Sequence, residues 1–151
     1  MPNLYAAAAD VLATLSAAIL DDLAKDTDGG TDHTLTLIES MSRRADGLIR
    51  QHKPSGYIVP LTDTQAIETV RPWIVDVTRF MLLERALAGK YDTEGAKFLY
   101  EKALAYFESV AKGEMDIPGA VDYGASASTA AGTTSWTSNT VMYPVGTARG
   151  F

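Results

Sequence analysis

Residues 72–88, PWIVDVTRFMLLERALA, are apolar over more consecutive helical turns than any other stretch, and this decides what the rest of the chain must do. On a helical wheel Trp73, Ile74, Val77, Phe80, Met81, Glu84 and Ala88 form one stripe, and Val75, Leu82 and Ala86 widen it on the other side. Only Asp76, Arg79, Glu84 and Arg85 interrupt the cover, so a helix here needs protein neighbours on most of its faces. The sequence predicts a central helix beginning at Pro72, where a missing N–H costs nothing in a first turn and the fixed φ suits the helix. Its length of roughly 25 Å and its charged interruptions argue against a membrane span.

The other helices are predicted to supply those neighbours. Residues 4–23 are rich in Ala and Leu, and Ala8, Val11, Leu12, Leu15, Ile19 and Leu23 fall on one face, with a break expected near Ser16. Residues 25–30, with two glycines and no apolar side chain, read as a loop. Its alternating Asp26, Asp28 and Asp32 fail the calcium-loop pattern at Gly30, Thr31 and Leu37, so a solvated turn is expected. Asp32 caps a second helix to about His52, burying Leu35, Ile38, Met41, Ala45, Leu48 and Ile49 and exposing Glu39, Arg43, Arg44 and Arg50. His33 and His52, the only histidines, stand roughly 28 Å apart along it, too far to share a metal or a proton. Lys53-Pro54-Ser55-Gly56 ends this helix, and Tyr57-Ile58-Val59-Pro60-Leu61 follows as an extended apolar plug that needs a surface to pack on. A short helical turn from Asp63 or Thr64 through Val70 precedes the central helix, which Gly89 stops. Asp92 or Thr93 then caps a last helix with Ala96, Leu99, Tyr100, Ala103, Tyr106, Phe107 and Val110 at spacings of three and four, ended by Gly113.

From residue 114 onward the composition shifts to Ala, Gly, Ser and Thr, with no lysine and a single arginine, Arg149. Small polar residues bury too little apolar area to offset ordering entropy. Tyr123, Trp136, Val141, Met142, Tyr143, Val145 and Phe151 are nevertheless costly to leave in water. The stretch is predicted to be an arm, mobile alone and ordered as strand or hairpin on a partner, with residues 140–145 the best strand candidate and Arg149 its one basic residue. The fold class is therefore mainly α: a small bundle of about four or five helices over residues 1–113, with a C-terminal extended arm over residues 114–151.

Chemistry is sparse. The 151 residues contain no cysteine, which excludes disulfides and thiolate metal sites, and the net charge of −6 opposes unassisted binding to a phosphate backbone. No nucleophile elbow, phosphate loop or zinc-protease helix occurs, so no enzyme, cofactor or metal is expected. Asp76 and Arg79 read as a structural ion pair, and Glu84 and Glu101, on separate helices, give no basis for paired acid and base work. The connection over residues 53–63 is too long for a DNA-reading helix-turn-helix. No signal peptide or membrane segment is evident.

Three blocks carry a resemblance: Ala45-Asp46-Gly47-Leu48-Ile49, the plug with Tyr57, Pro60 and Leu61, and Val77-Thr78-Arg79-Phe80-Met81-Leu82, where Asp76, Arg79 and Phe80 stand at the motif positions on the helix opened by Trp73. With Tyr5 and Asp10-Val11-Leu12 at the start and Ala111-Lys112-Gly113 at the end, residues 5–113 resemble the Mu-like tailed-phage neck proteins. Gly56 stands where that family usually has arginine, and the 53–55 insert is a departure. The resemblance implies a head completion or head-tail adaptor protein of the virion neck, made in the host cytoplasm. It would form a homo-oligomeric ring, twelve-fold like the portal, between the portal protein and the adjacent tail and neck proteins. DNA would pass through the lumen unbound, and no membrane would be involved. The residues leave two alternatives open: a tail-completion or stopper protein, and a small cytoplasmic regulator holding nucleic acid through Arg43, Arg44 and Arg50.

Overall fold

The computed structural model describes residues 4–25, 31–86 and 90–123. Five helices follow in order, α1 Ala8–Leu12, α2 Ala17–Ala24, α3 Thr31–Ile49, α4 Thr64–Ala86 and α5 Glu94–Lys112. Among the described residues there is no strand, only an isolated antiparallel bridge between Tyr57 and Asp122. The chain is thus mainly helical, as its periodicities predict.

The α4 helix is the axis, in contact with α1, α3 and α5. Its buried residues point in nearly every direction: Ala66, Val70, Trp73, Ile74, Val75, Val77, Phe80, Leu82 and Leu83 are all in the core. Trp73 lies 5.3 Å from the Tyr106 ring and meets Phe107 edge-on at 5.2 Å, while Phe80 tilts over Tyr100 at 4.6 Å. These aromatic pairs seat α5 along the axis and add to the burial of their own area. The α5 stripe is as predicted, with Ala96, Ala103, Phe107 and Val110 buried and Leu99, Tyr100 and Tyr106 half-buried.

The structure corrects the start of this axis. Pro72 lies inside α4, so the predicted short turn to Val70 and the helix from Pro72 are one element. A proline there removes one intrahelical bond and crowds the preceding turn, which normally ends a helix. Here the buried Ala66, Val70, Trp73, Ile74 and Val77 keep one phase across the proline, and Pro72 itself is on the solvent side. Packing on both sides outweighs the local preference. The Asp76–Arg79 pair also needs correction: the two carboxylate oxygens come within ion-pair distance of no described guanidinium, and Arg79 Nε is buried without a hydrogen-bond partner among the described residues. Burial raises the Asp76 carboxyl above its ordinary range, with Arg79 and Lys102 pulling the other way as more distant charges.

The N-terminal helix is broken as expected, at residues 13–16, but it also starts later than predicted. Residues 4–7 are not helical. Tyr5 is instead driven into the core, where its N–H reaches Ser42 Oγ at 3.5 Å, its carbonyl accepts Arg71 Nε at 3.4 Å, and its hydroxyl donates to Asp46 and accepts the Leu61 N–H at 3.0 Å. The N-terminal segment, α3, the plug and α4 meet at that one residue. The α2 helix is fastened by Asp22, whose carboxylate accepts from Lys90, Tyr91 and Lys25 and is held well below the usual carboxylate range by those bonds. The calcium reading of residues 26–32 and the stop at Gly89 lie outside the described side chains. No described helix is long and apolar enough to cross a membrane.

Candidate partner-binding surface

The end of the bundle where α3 and α5 finish and α4 begins is built by two irregular segments, residues 50–63 and 113–123. Gly113 closes α5 in the left-handed region, φ 78°, a conformation that spares a helix end only when no Cβ is present. The chain then turns back across the bundle end, burying Ile117 to 2% exposure. Residues 114–123 are therefore seated on the helical body, because Ile117 and the hydroxyl of Tyr57 give this small-residue stretch something to dock on.

The docking is specific. Tyr57 Oη accepts the Ile117 N–H and donates to Asp116 Oδ1, both at 3.3 Å. Burial raises the pKa of that phenol, opposed by the Ile117 N–H and reinforced by Asp116. The His52 ring stacks on Tyr57 at 4.1 Å with planes 13° apart. Its Nδ1 lies 2.8 Å from the Val110 carbonyl. A carbonyl only accepts, so Nδ1 donates this bond, and Nε2 faces Asp116 Oδ1 at 3.5 Å. The histidine so bolts the end of α3 to the end of α5. On the other flank Asp63 Oδ1 accepts the N–H groups of Gln65 and Ala66 at 2.9 and 3.1 Å, capping α4, and Gly119 lies directly over that carboxylate. The apolar plug has found its surface: Tyr57 and Leu61 are buried, while Ile58 and Pro60 face out.

Two backbone bonds, Ile58 N–H to Val121 O at 2.8 Å and Tyr123 N–H to Gly56 O at 2.9 Å, flank the Tyr57–Asp122 bridge. They bring Ile58, Val121 and Tyr123 together at 41%, 50% and 72% exposure, half of the large apolar side chains left exposed among the described residues. A groove of about 160 Å³ runs on one side, lined by Pro60, Leu61, Ala66 and Val121. A second of about 380 Å³ runs on the other, lined by Arg50, Tyr57, Val59 and Tyr123, and Ile58 is the wall they share. These side chains form an exposed apolar surface beside the last described residue.

Of the residues predicted to meet a partner, Tyr123 alone falls on this surface; Trp136, Val141, Met142, Tyr143, Val145, Arg149 and Phe151 lie outside the described residues. Tyr57, Pro60 and Leu61 of the motif are at the bundle end, whereas Trp73, Asp76, Arg79 and Phe80 lie along the axis. Asp63, predicted as a helix start, caps α4; sequence reasoning missed the roles of His52, Asp116, Ile117 and Gly119. No local pattern marks them, since His52 and Val110 are 58 positions apart. Arg43 is engaged by Glu39, and Arg44 and Arg50 are exposed. Glu84 is exposed, and Glu101 stands 4.0 Å from Lys97, on the solvent side of α5. Among the described residues no group of three side chains is placed to hold a metal ion.

A family model described as Bacteriophage Mu, Gp36 matches residues 5–135. Neither the curated proteins nor the solved structures give a match to the chain.

Proposed function

This chain belongs to the bacteriophage Mu Gp36 family, and from that membership we propose that it is a structural protein of the virion neck, a head-tail adaptor. In this reading the helical body forms the wall of a homo-oligomeric ring between portal and tail, and the stretch after Tyr123 is the arm that grips a neighbour or the portal. The observation that carries it is the exposed apolar surface at the arm's root, anchored to three helices. A segment that leaves the body beside Ile58, Val121 and Tyr123 starts on a surface suited to burial against protein. The stretch beyond Tyr123 contains no acidic residue and one basic residue, Arg149, so its grip would depend on apolar and hydrogen-bonding contacts. A ring subunit also needs two different contact patches, and an arm enlarges the buried area without enlarging the body.

The test is truncation after Tyr123, which leaves every described anchor in place. The truncated chain keeps its helical circular dichroism and loses binding to portal-filled heads, in low and high salt alike. Undiminished binding to those heads refutes the adaptor reading with the arm as its grip. Binding transferred to tail-tube components would favour a stopper role.

A further inference from the structure

We propose that the paired grooves around Ile58 receive residues 140–145, TVMYPV, from the arm of a second copy of this chain. The inference rests on the arm reading above and names the surface that the arm meets. An extended segment projects alternate side chains to one face, so Val141, Tyr143 and Val145 form a single apolar row. The receiving surface is a channel divided by Ile58, with Pro60, Leu61 and Val121 on one side and Val59 and Tyr123 on the other. Opposed backbone pairing cannot fill it lengthwise from within. Pro54 and Pro60 lack N–H groups and bound the 56–58 segment at both ends, so the Tyr57–Asp122 bridge stays short.

The length of the chain decides between its own groove and a neighbour's. The segment leaves the body at Tyr123, beside the groove, and a return to it needs a hairpin loop of roughly two to five residues. Sixteen residues, 124–139, separate Tyr123 from Thr140, and fourteen of them are Gly, Ala, Ser or Thr. They reach up to about 55 Å when extended, against about 35 Å for the diameter of a domain of roughly 120 residues. A connection of that length is long enough to cross one body and reach the next. Repeated around an assembly, each copy gives an arm and receives one, the head-to-tail arrangement that closes a ring.

The chain has no cysteine, which makes the test direct. A full-length double variant, Ile58→Cys with Val141→Cys, yields a ladder of covalent oligomers on mild oxidation. Mixing the two single variants yields covalent dimers, and Phe98→Cys mixed with Val141→Cys yields none. A cross-link confined to the monomer overturns the proposal, because the arm then fills its own groove. Absence of cross-links in a chain that still binds portal-filled heads also overturns it, while leaving the neck reading intact. Independently, Ile58→Asp leaves the helical signal unchanged and weakens self-association at least about tenfold, as expected for a charge placed in an apolar contact; unchanged association overturns the assignment.

Discussion

Tyr5→Phe tests whether one hydroxyl fastens the N-terminal segment to the bundle. Tyr5 is 2% exposed, and its hydroxyl donates to Asp46 while accepting the Leu61 N–H at 3.0 Å. The substitution keeps the ring and its packing and removes both bonds. A buried backbone donor left unpaired costs about 1–3 kcal/mol, and a bond to a charged group is worth about 1.5–3 kcal/mol. Because Asp46 keeps some access to water, the sum is best taken near the lower ends, about 3 kcal/mol at neutral pH.

The pH dependence separates the two bonds. Burial raises the Asp46 carboxyl above its ordinary value, and the Tyr5 hydroxyl, then Arg50, oppose the rise. The folded protein therefore holds the Asp46 proton more tightly than the unfolded chain does, and stability falls as pH rises through the window between the unfolded and the folded value. Removing the hydroxyl removes the larger opposing effect, so the folded value climbs and the window widens upward. Below the window Asp46 is neutral in both states, and the substitution costs the stranded Leu61 N–H and an ordinary neutral hydrogen bond, together about 2 kcal/mol. Urea unfolding followed by circular dichroism from about pH 4 to 8 measures the difference. A Tyr5→Phe penalty that is flat across this range, or below about 0.5 kcal/mol at neutral pH, refutes the reasoning.

Gly119→Ala puts a Cβ at φ 80°, 2.1 Å from Asp63 Oδ1; the left-handed strain and the displaced α4 cap together cost about 2–3 kcal/mol, read as a fall in the urea midpoint. Tyr57→Phe strands the buried Ile117 N–H, and hydrogen exchange at residues 117–123 accelerates about tenfold while α4 amides keep their protection. Pro72→Ala restores a helical donor at an exposed position; the helix gains up to about 3 kcal/mol, the freer unfolded chain returns about 1, and thermal unfolding shows a net gain of about 1–2 kcal/mol.

What the sequence made legible was each helix's buried face. The rows on α3 and α5 follow from spacing alone, because a stripe recurring at three and four has one way to leave water. Pro72 was misread for the opposite reason: its local rule is strong, and only the phase of Ala66 and Val70 with Trp73, seen once α3 and α5 are in place, overrides it. Periodicity also names no partner. Tyr5 meets Asp46 and Leu61 across 41 and 56 positions, and nothing in a window of either segment distinguishes this tyrosine from one at the surface. The bundle end suffered most, since His52 was set aside as too far from His33 to act with it and Gly119 lay within the stretch read as an arm, until the fold set each against its neighbour.

The arrangement of that end has a mechanical logic. A subunit that holds its partner through a trailing chain is only as strong as the place where the chain leaves the body. If residues 114–123 simply continued α5, tension on the arm would unravel the helix from its last turn, the weakest part of any helix. Instead the chain reverses at Gly113, and tension meets the Tyr57 hydroxyl, the buried Ile117 and the Tyr57–Asp122 bridge, contacts that load α3 and α4 as well. Those must break together, which is slower than fraying one residue at a time. In the proposed exchange, the same contacts hold the backbone at Ile58, Val121 and Tyr123 in fixed relation before a partner arrives, so the receiving side would lose little backbone entropy on association. Under the arm exchange proposed above, anchoring the giver and preforming the receiver would be one structural device, placed at the bundle end that sequence reading found least informative.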